Sequence, residues 1–341
     1  MEISSSLIII GILFSMSCLS WRLGKPRLDP KSPISNVPIN LSLLDLEVWL
    51  KNVESEVPCL MPSVEAHIGW ANASKPKRTK VCFLYIHGFS ATPKETSPLT
   101  EELAKHFSCN YILGRLAGHG VKDDINASAE DWLQSIVDYW HIAQQLGDKV
   151  IIIGTSTGAT LSVWLASQGF TKNKLYAAIF LAPNFRPRHH LDTPFFSISS
   201  ILTWPWSNYW MPLLIGRRRE LSLQNELERR FSSHGYSVRA LIEMQKVVDW
   251  ARTVKYSRFN IPLCTMYMKN DPTIDSYAAV KVHEAWGSDQ KELIPVTLNE
   301  ESIEHVFVGD MMAPNRTDWC VQRLELFLKE LDKSLWTKRL R

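Results

Sequence analysis

The segment Lys149–Leu161, KVIIIGTSTGATL, limits the fold more than any other stretch of the chain. Val150–Ile153 is apolar at every position, and a strand covered on both faces buries such a run. Gly154 stops it, and the small residues Thr157–Leu161 then open a helix. A strand that turns directly into a helix belongs in a parallel sheet with crossover helices. The same succession recurs along the chain. Strands are expected at Val81–Ile86, Asn110–Leu113, Val150–Ile153, Ala177–Leu181, Leu263–Met268 and Leu293–Leu298. Helical spacing is expected over Leu43–Val57, Pro98–Phe107, Ala129–Gln145, Ala159–Gln168 and Asp318–Leu331.

The alternation lapses between Arg186 and Asn260. The first part, TPFFSISSILTWPWSNYWMPLLIG, is aromatic and almost uncharged, and the second, Arg217–Arg258, is polar with helical spacing. Placed between two sheet strands, residues 186–260 are expected to form a helical cap over one edge of the sheet, leaving 43–185 and 261–341 as the core. Phe195, Phe196, Trp204, Trp206, Tyr209, Trp210 and Met211 would give that cap an apolar inner surface. The run Arg217–Arg219 reads as a solvated face.

The N-terminus is set apart. Ile3–Trp21 carries no charge and has its apolar centre at Leu7–Leu19, with Arg22, Lys25, Arg27 and Lys31 following. The absence of basic residues before it favours an uncleaved membrane anchor at 1–21 over a signal peptide. The basic residues after it would put the rest of the chain on the cytoplasmic side, with export as the alternative. Residues 22–42, with Pro26, Pro30, Pro33 and Pro38, read as a linker. Otherwise 45% hydrophobic and 21% charged residues describe an ordinary globular chain, and a net charge of +3 implies no nucleic-acid partner. None of the six cysteines sits at metal-ligand spacing, and a reduced structural role is expected for them.

Ser156 lies where the strand ends and the helix begins. Glycines on both sides permit a strained turn there, and the helix N-terminus favours an alkoxide. Such a serine needs an oxyanion hole, a base and an orienting acid. His87-Gly88-Phe89 leaves an earlier strand at the same sheet edge, so the Phe89 and Thr157 backbone N–H groups are the expected donors. His87 itself would brace its loop. Asp271 follows a later strand and precedes Pro272, and Asp275 is better suited to capping the next helix. His305, after the last expected strand, is the candidate base.

These residues together resemble the α/β-hydrolase superfamily, in particular its carboxylesterase and monoacylglycerol-lipase-like serine hydrolases. The resemblance spans about Ser42 to Leu335 and rests on HGFSATP (87–93), GRLAGHG (114–120), GTSTG (154–158) and the pair Asp271 and His305. It implies an α/β-hydrolase fold: a mostly parallel central sheet flanked by helices, with an inserted cap. It also implies a Ser156–Asp271–His305 triad in the family's chain order and a structural role for His119. Thr155 and Thr157 depart from the residues many relatives carry beside the nucleophile. The expected reaction is ester cleavage through an acyl-enzyme, without metal or organic cofactor. A lipophilic single-chain ester such as a monoacylglycerol is the expected substrate. A peptidase, amidase or thioesterase of the same fold, and a non-catalytic membrane-anchored binding protein, are the alternatives.

Overall fold

A computed structural model describes residues 2–122, 124–193, 196–297 and 304–331, without the side chains of 2–9, 12 and 13. The expectations for Phe195 and Leu298 lie outside these residues. The helices are α1 (Glu2–Gly24), α2 (Leu43–Ser55), α3 (Leu99–Phe107), α4 (Ala129–Leu146), α5 (Thr157–Ser167), α6 (Ser207–Ile215), α7 (Glu226–Phe231), α8 (Val238–Ala251), α9 (Ser276–Ala285) and α10 (Pro314–Leu331). The strands are β1 (His67–Gly69), β2 (Thr79–Ile86), β3 (Asn110–Gly114), β4 (Gly147–Thr155), β5 (Leu175–Leu181), β6 (Arg218–Glu220), β7 (Gly235–Ser237), β8 (Leu263–Tyr267) and β9 (Lys291–Pro295).

Seven strands form one sheet in the order β1-β3-β2-β4-β5-β8-β9. Only β1 runs antiparallel to its neighbour; β2, β3, β4, β5, β8 and β9 pair in parallel. The uninterrupted apolar runs follow from burial on both faces. Cys82, Leu84 and Ile86 of β2 pack with Val150 and Ile152 of β4 against α4 and α5. Val81, Phe83 and Tyr85 join Ile151 and Ile153 against α3 and α10 on the other side. Alternate residues of one strand thus serve two cores. The chain is an α/β-hydrolase fold of the kind expected.

Parallel pairing brings the carboxyl ends of the central strands to one edge, where open α/β sheets bind ligands. Ile86 pairs with Gly154, Thr155 with Leu181, Leu181 with Met266, and Met266 with Ile294. The segment between β5 and β8 holds α6, the β6–β7 pair, α7 and α8. It has its own small core of Leu202, Met211, Val238 and Ile242. The opposite side of α8 enters the main core through Ala240, Met244 and Val247. Residues 26–36 carry no helix or strand and lie against α4 and α5. There the Asp138 carboxylate accepts the Asn36 N–H at 2.7 Å, and Trp164 donates to the Pro30 carbonyl at 3.0 Å.

The membrane anchor expected at residues 1–21 is corrected by the structure. Among the described residues no helix is long and apolar enough to cross a membrane. The apolar centre Leu7–Leu19 rises only about 20 Å at helical pitch, whereas a hydrocarbon core is about 30 Å thick. The flanks of α1 carry Glu2, Ser4–Ser6, Ser20 and Arg22 among their residues. The last turn of α1 instead meets the cap: the Gly24 carbonyl accepts the Trp206 N–H at 2.7 Å, and the Trp21 and Trp204 rings lie 6.1 Å apart. The expected membrane partner and the assignment of a membrane side fall with the anchor.

Candidate active site

The turn after β4 holds Ser156 at φ 50° and ψ −118°, a conformation that is strained for any residue but glycine. Two close approaches force the chain into it. A Cβ on Gly154 would stand 2.6 Å from Ser162 Oγ and 2.7 Å from Ala159 Cα. A Cβ on Gly158 would stand 2.1 Å from the Ile86 carbonyl oxygen. Missing side chains at both positions therefore let α5 press against the ends of β4 and β2. The Ser156 N–H donates to the Leu181 carbonyl at 2.9 Å, and the Ser156 carbonyl accepts the Asn184 N–H at 3.0 Å.

Ser156, Asp271 and His305, far apart in sequence, meet at this edge. The Ser156 hydroxyl donates to His305 Nε2 at 2.8 Å, and His305 Nδ1–H donates to Asp271 Oδ2 at 2.8 Å. Asp271 is wholly buried, and its other oxygen accepts the Thr273 and Ile274 N–H groups at 2.8 and 3.0 Å. Four lone-pair sites on a carboxylate allow both duties, and the backbone bonds orient it toward the imidazole. Asp275 caps α9 by accepting the Tyr277 N–H at 3.0 Å. This nucleophile–base–acid geometry suits acyl transfer.

The loop after β2 stands beside Ser156. His87 Nδ1–H donates to the Gly88 carbonyl at 2.8 Å, while Nε2 accepts the Leu116 N–H at 3.0 Å. Both bonds need the neutral ring, and burial together with neighbouring His119 holds His87 well below the ordinary histidine range. Burial likewise lowers His119 to about 4. Among the described residues the Phe89 and Thr157 N–H groups have no protein acceptor. Glu95 was not anticipated from the sequence. It is 5% exposed, its Oε2 accepts the Gly88 N–H at 2.9 Å and the Tyr85 O–H at 2.9 Å, and burial raises its pKa.

A cavity of about 1120 Å³ adjoins Ser156, Thr157, Phe89 and His305. Residues 201–215 of the cap give it an apolar wall: Ile201, Leu202, Trp210, Met211, Leu214 and Ile215. Ser90, Arg219, Gln224 and Glu228 line a polar part. Trp210 and Met211 thus stand where the sequence places a substrate surface. Trp204, Trp206 and Tyr209 do not line this cavity. Helical periodicity explains Tyr209: positions 210, 211, 214 and 215 of α6 share the inner face, and Asn208, Tyr209, Pro212 and Leu213 share the outer one. Trp204 and Trp206 are drawn instead to the end of α1.

A parallel sheet with a strained serine at one strand end and a hydrogen-bonded imidazole and carboxylate at two others defines an α/β-hydrolase. The chain matches the model of the Hydrolase_4 family, serine aminopeptidase, S33, over residues 77–296, and belongs to that family. The family is one of serine hydrolases. It is 34% identical over 85 residues to a thermostable monoacylglycerol lipase of Bacillus sp. (strain H-257), a match covering 24% of this chain and 34% of the relative. The alignment thus spans about a third of that relative's length. Among solved structures, a chain reported for the metagenome-derived lipolytic enzymes LipS and LipT matches at TM-score 0.60, with 18% identity over 80% of this chain and 99% of the other. A Paleococcus ferrophilus monoacylglycerol lipase matches at 0.58, with 13% identity, covering 78% and 98%. A soluble variant of monoglyceride lipase from Saccharomyces cerevisiae, bound to a substrate analogue, matches at 0.55, with 15% identity, covering 83% and 98%. At such identities these structures speak for the fold.

Proposed function

We propose that this chain cleaves lipophilic single-chain esters, of which a monoacylglycerol is the leading candidate, through an acyl-enzyme. The observation that carries the reading is the Ser156–His305–Asp271 hydrogen-bonded set opening into a cavity with an apolar wall from residues 201–215 and a polar part. His305 takes the Ser156 proton as Oγ attacks the ester carbonyl, and the Asp271 carboxylate stabilises the imidazolium that forms. The Phe89 and Thr157 N–H groups, without an acceptor among the described residues, receive the oxyanion. His305 then returns the proton to the leaving alcohol and activates water for deacylation. An acyl chain suits the surface of Leu202, Trp210, Met211 and Leu214, and a glycerol suits the polar part. The monoacylglycerol lipase named among the relatives supports the same substrate class.

Labelling with a fluorophosphonate probe tests the nucleophile. Wild type is expected to label, and Ser156→Ala is expected to lose both labelling and roughly 10⁴-fold or more of kcat. Labelling that survives Ser156→Ala would sink the assignment. Acyl-chain series on glycerol and p-nitrophenyl esters, set against aminoacyl amides, test the substrate. Turnover is expected to rise with chain length, whereas selective amide turnover would replace the esterase reading with a peptidase one.

A further inference from the structure

Asp271 already orients His305, yet the site holds a second buried carboxylate that the proposed chemistry does not use. Glu95 belongs to the turn after the HGFSATP loop, and its Oε2 accepts both the Gly88 N–H and the Tyr85 O–H, each at 2.9 Å. A methyl group added at Gly88 would stand 2.9 Å from Glu95 Oε1 and 3.0 Å from Ser156 Cβ. The carboxylate and the nucleophile therefore crowd the same side of Gly88. Two peptide planes meet at that glycine. The one carrying the Gly88 N–H is held by Glu95. The other contains the Gly88 carbonyl and the Phe89 N–H, which point in opposite directions in a trans peptide. His87 Nδ1–H draws that carbonyl back at 2.8 Å, and so turns the Phe89 N–H the other way.

We propose that Glu95 is a positioning residue for ester cleavage: by holding the Gly88 N–H it fixes the loop that presents the Phe89 N–H to the oxyanion. The proposal rests on the ester-hydrolase reading of the same site. A carboxylate suits this task because a charge-assisted hydrogen bond is roughly twice as strong as a neutral one. The Glu95 turn also registers the loop that bears His305. The Asp310 N–H donates to the Ser97 carbonyl at 2.9 Å. Gly309 sits at φ 100°, where a Cβ would come within 2.8 Å of Thr96 Cα and 2.9 Å of the Glu95 carbonyl oxygen. One short turn thus sets the Phe89 loop and the loop of the base against each other.

The test compares full-length wild type, Glu95→Ala, Glu95→Gln and Glu95→Asp on a p-nitrophenyl ester. Glu95→Ala is expected to lower kcat roughly 100-fold, with KM changed less than about twofold, because an oxyanion donor acts mainly in the transition state. Glu95→Gln retains a carbonyl oxygen and is expected to recover at least about tenfold of that loss. Should Glu95→Ala not fold, Glu95→Asp withdraws the acceptor by one methylene and is expected to give the same loss of kcat. In a ¹H–¹⁵N spectrum the Gly88 amide is expected to shift upfield in Glu95→Gln, whatever the activity. A folded Glu95→Ala with kcat within about threefold of wild type would overturn the proposal, as would an unmoved Gly88 resonance. Loss that falls equally on Gln and Ala would overturn it too. The ester reading is judged separately, by wild-type turnover and its dependence on Ser156.

Discussion

His119 is a residue whose protonation divides the folded from the unfolded chain. It is fully buried, its Nδ1–H donates to the Ala117 carbonyl at 3.1 Å, and its ring meets those of His87, Phe89 and Trp132 within 6.0 Å. Burial lowers its pKa from 6.5 to about 4. Between those values the unfolded chain binds a proton that the folded one refuses, so stability rises with pH across the window. The contribution is fully present above 6.5 and is lost as pH falls toward about 4, a difference of roughly 3 kcal/mol. Melting curves of wild type and His119→Gln are expected to converge as pH falls through this range. Parallel curves would show that His119 does not titrate in this way.

At the scale of elements, α2 is tied to the loop after β3 by a buried ion pair. Arg115 Nε and Nη2 donate to the two Glu54 oxygens at 2.6 and 3.1 Å, and Arg115 Nη1 donates to the His119 carbonyl at 3.0 Å. Removing one partner strands a charge in the core, so Glu54→Gln is expected to destabilise the fold by about 3–5 kcal/mol in urea unfolding. Replacing both partners, as Glu54→Leu with Arg115→Met, is expected to recover most of that loss. A single variant that unfolds like wild type would contradict the account. Neither this pair nor Glu95 was legible in the sequence, because packing from distant segments decides which carboxylates are buried. What was legible depended on local pattern. The apolar runs of β2, β4, β5 and β8 are covered on both faces and are legible for that reason. Ser156 was legible because it follows such a run directly. The β9 expectation, Leu293–Leu298, lay too late: the strand is Lys291–Pro295, at the sheet margin, with only Ile294 buried. Three-residue β1, at the opposite margin, has no periodicity to read. The cap's aromatic content was visible too. Its division into inner and outer faces was not, since that depends on where α6 starts.

For the whole molecule, the decisive arrangement is a cap fastened at several points. The Ser233 N–H donates to the Ser90 carbonyl at 3.2 Å, Thr92 Oγ1 donates to the Phe231 carbonyl at 2.6 Å, and Asn225 Nδ2 donates to the Met311 carbonyl at 2.9 Å. Those bonds join the cap to the Phe89 and His305 loops. A further attachment lies at the end of α1, where Trp206, itself at φ 61°, caps its N–H on Gly24. A chain lacking residues 1–24 is expected to be cut faster by chymotrypsin after Trp206 while keeping Ser156 labelling. Unchanged cleavage would mean that α1 does not restrain the cap. The α1–cap contact also bears on the order of synthesis. Ser20 and Trp206 stand 186 positions apart, so α1 leaves the ribosome long before the tryptophans that cover its end. For most of translation that end of the helix has to be kept from other apolar surfaces without its final partner.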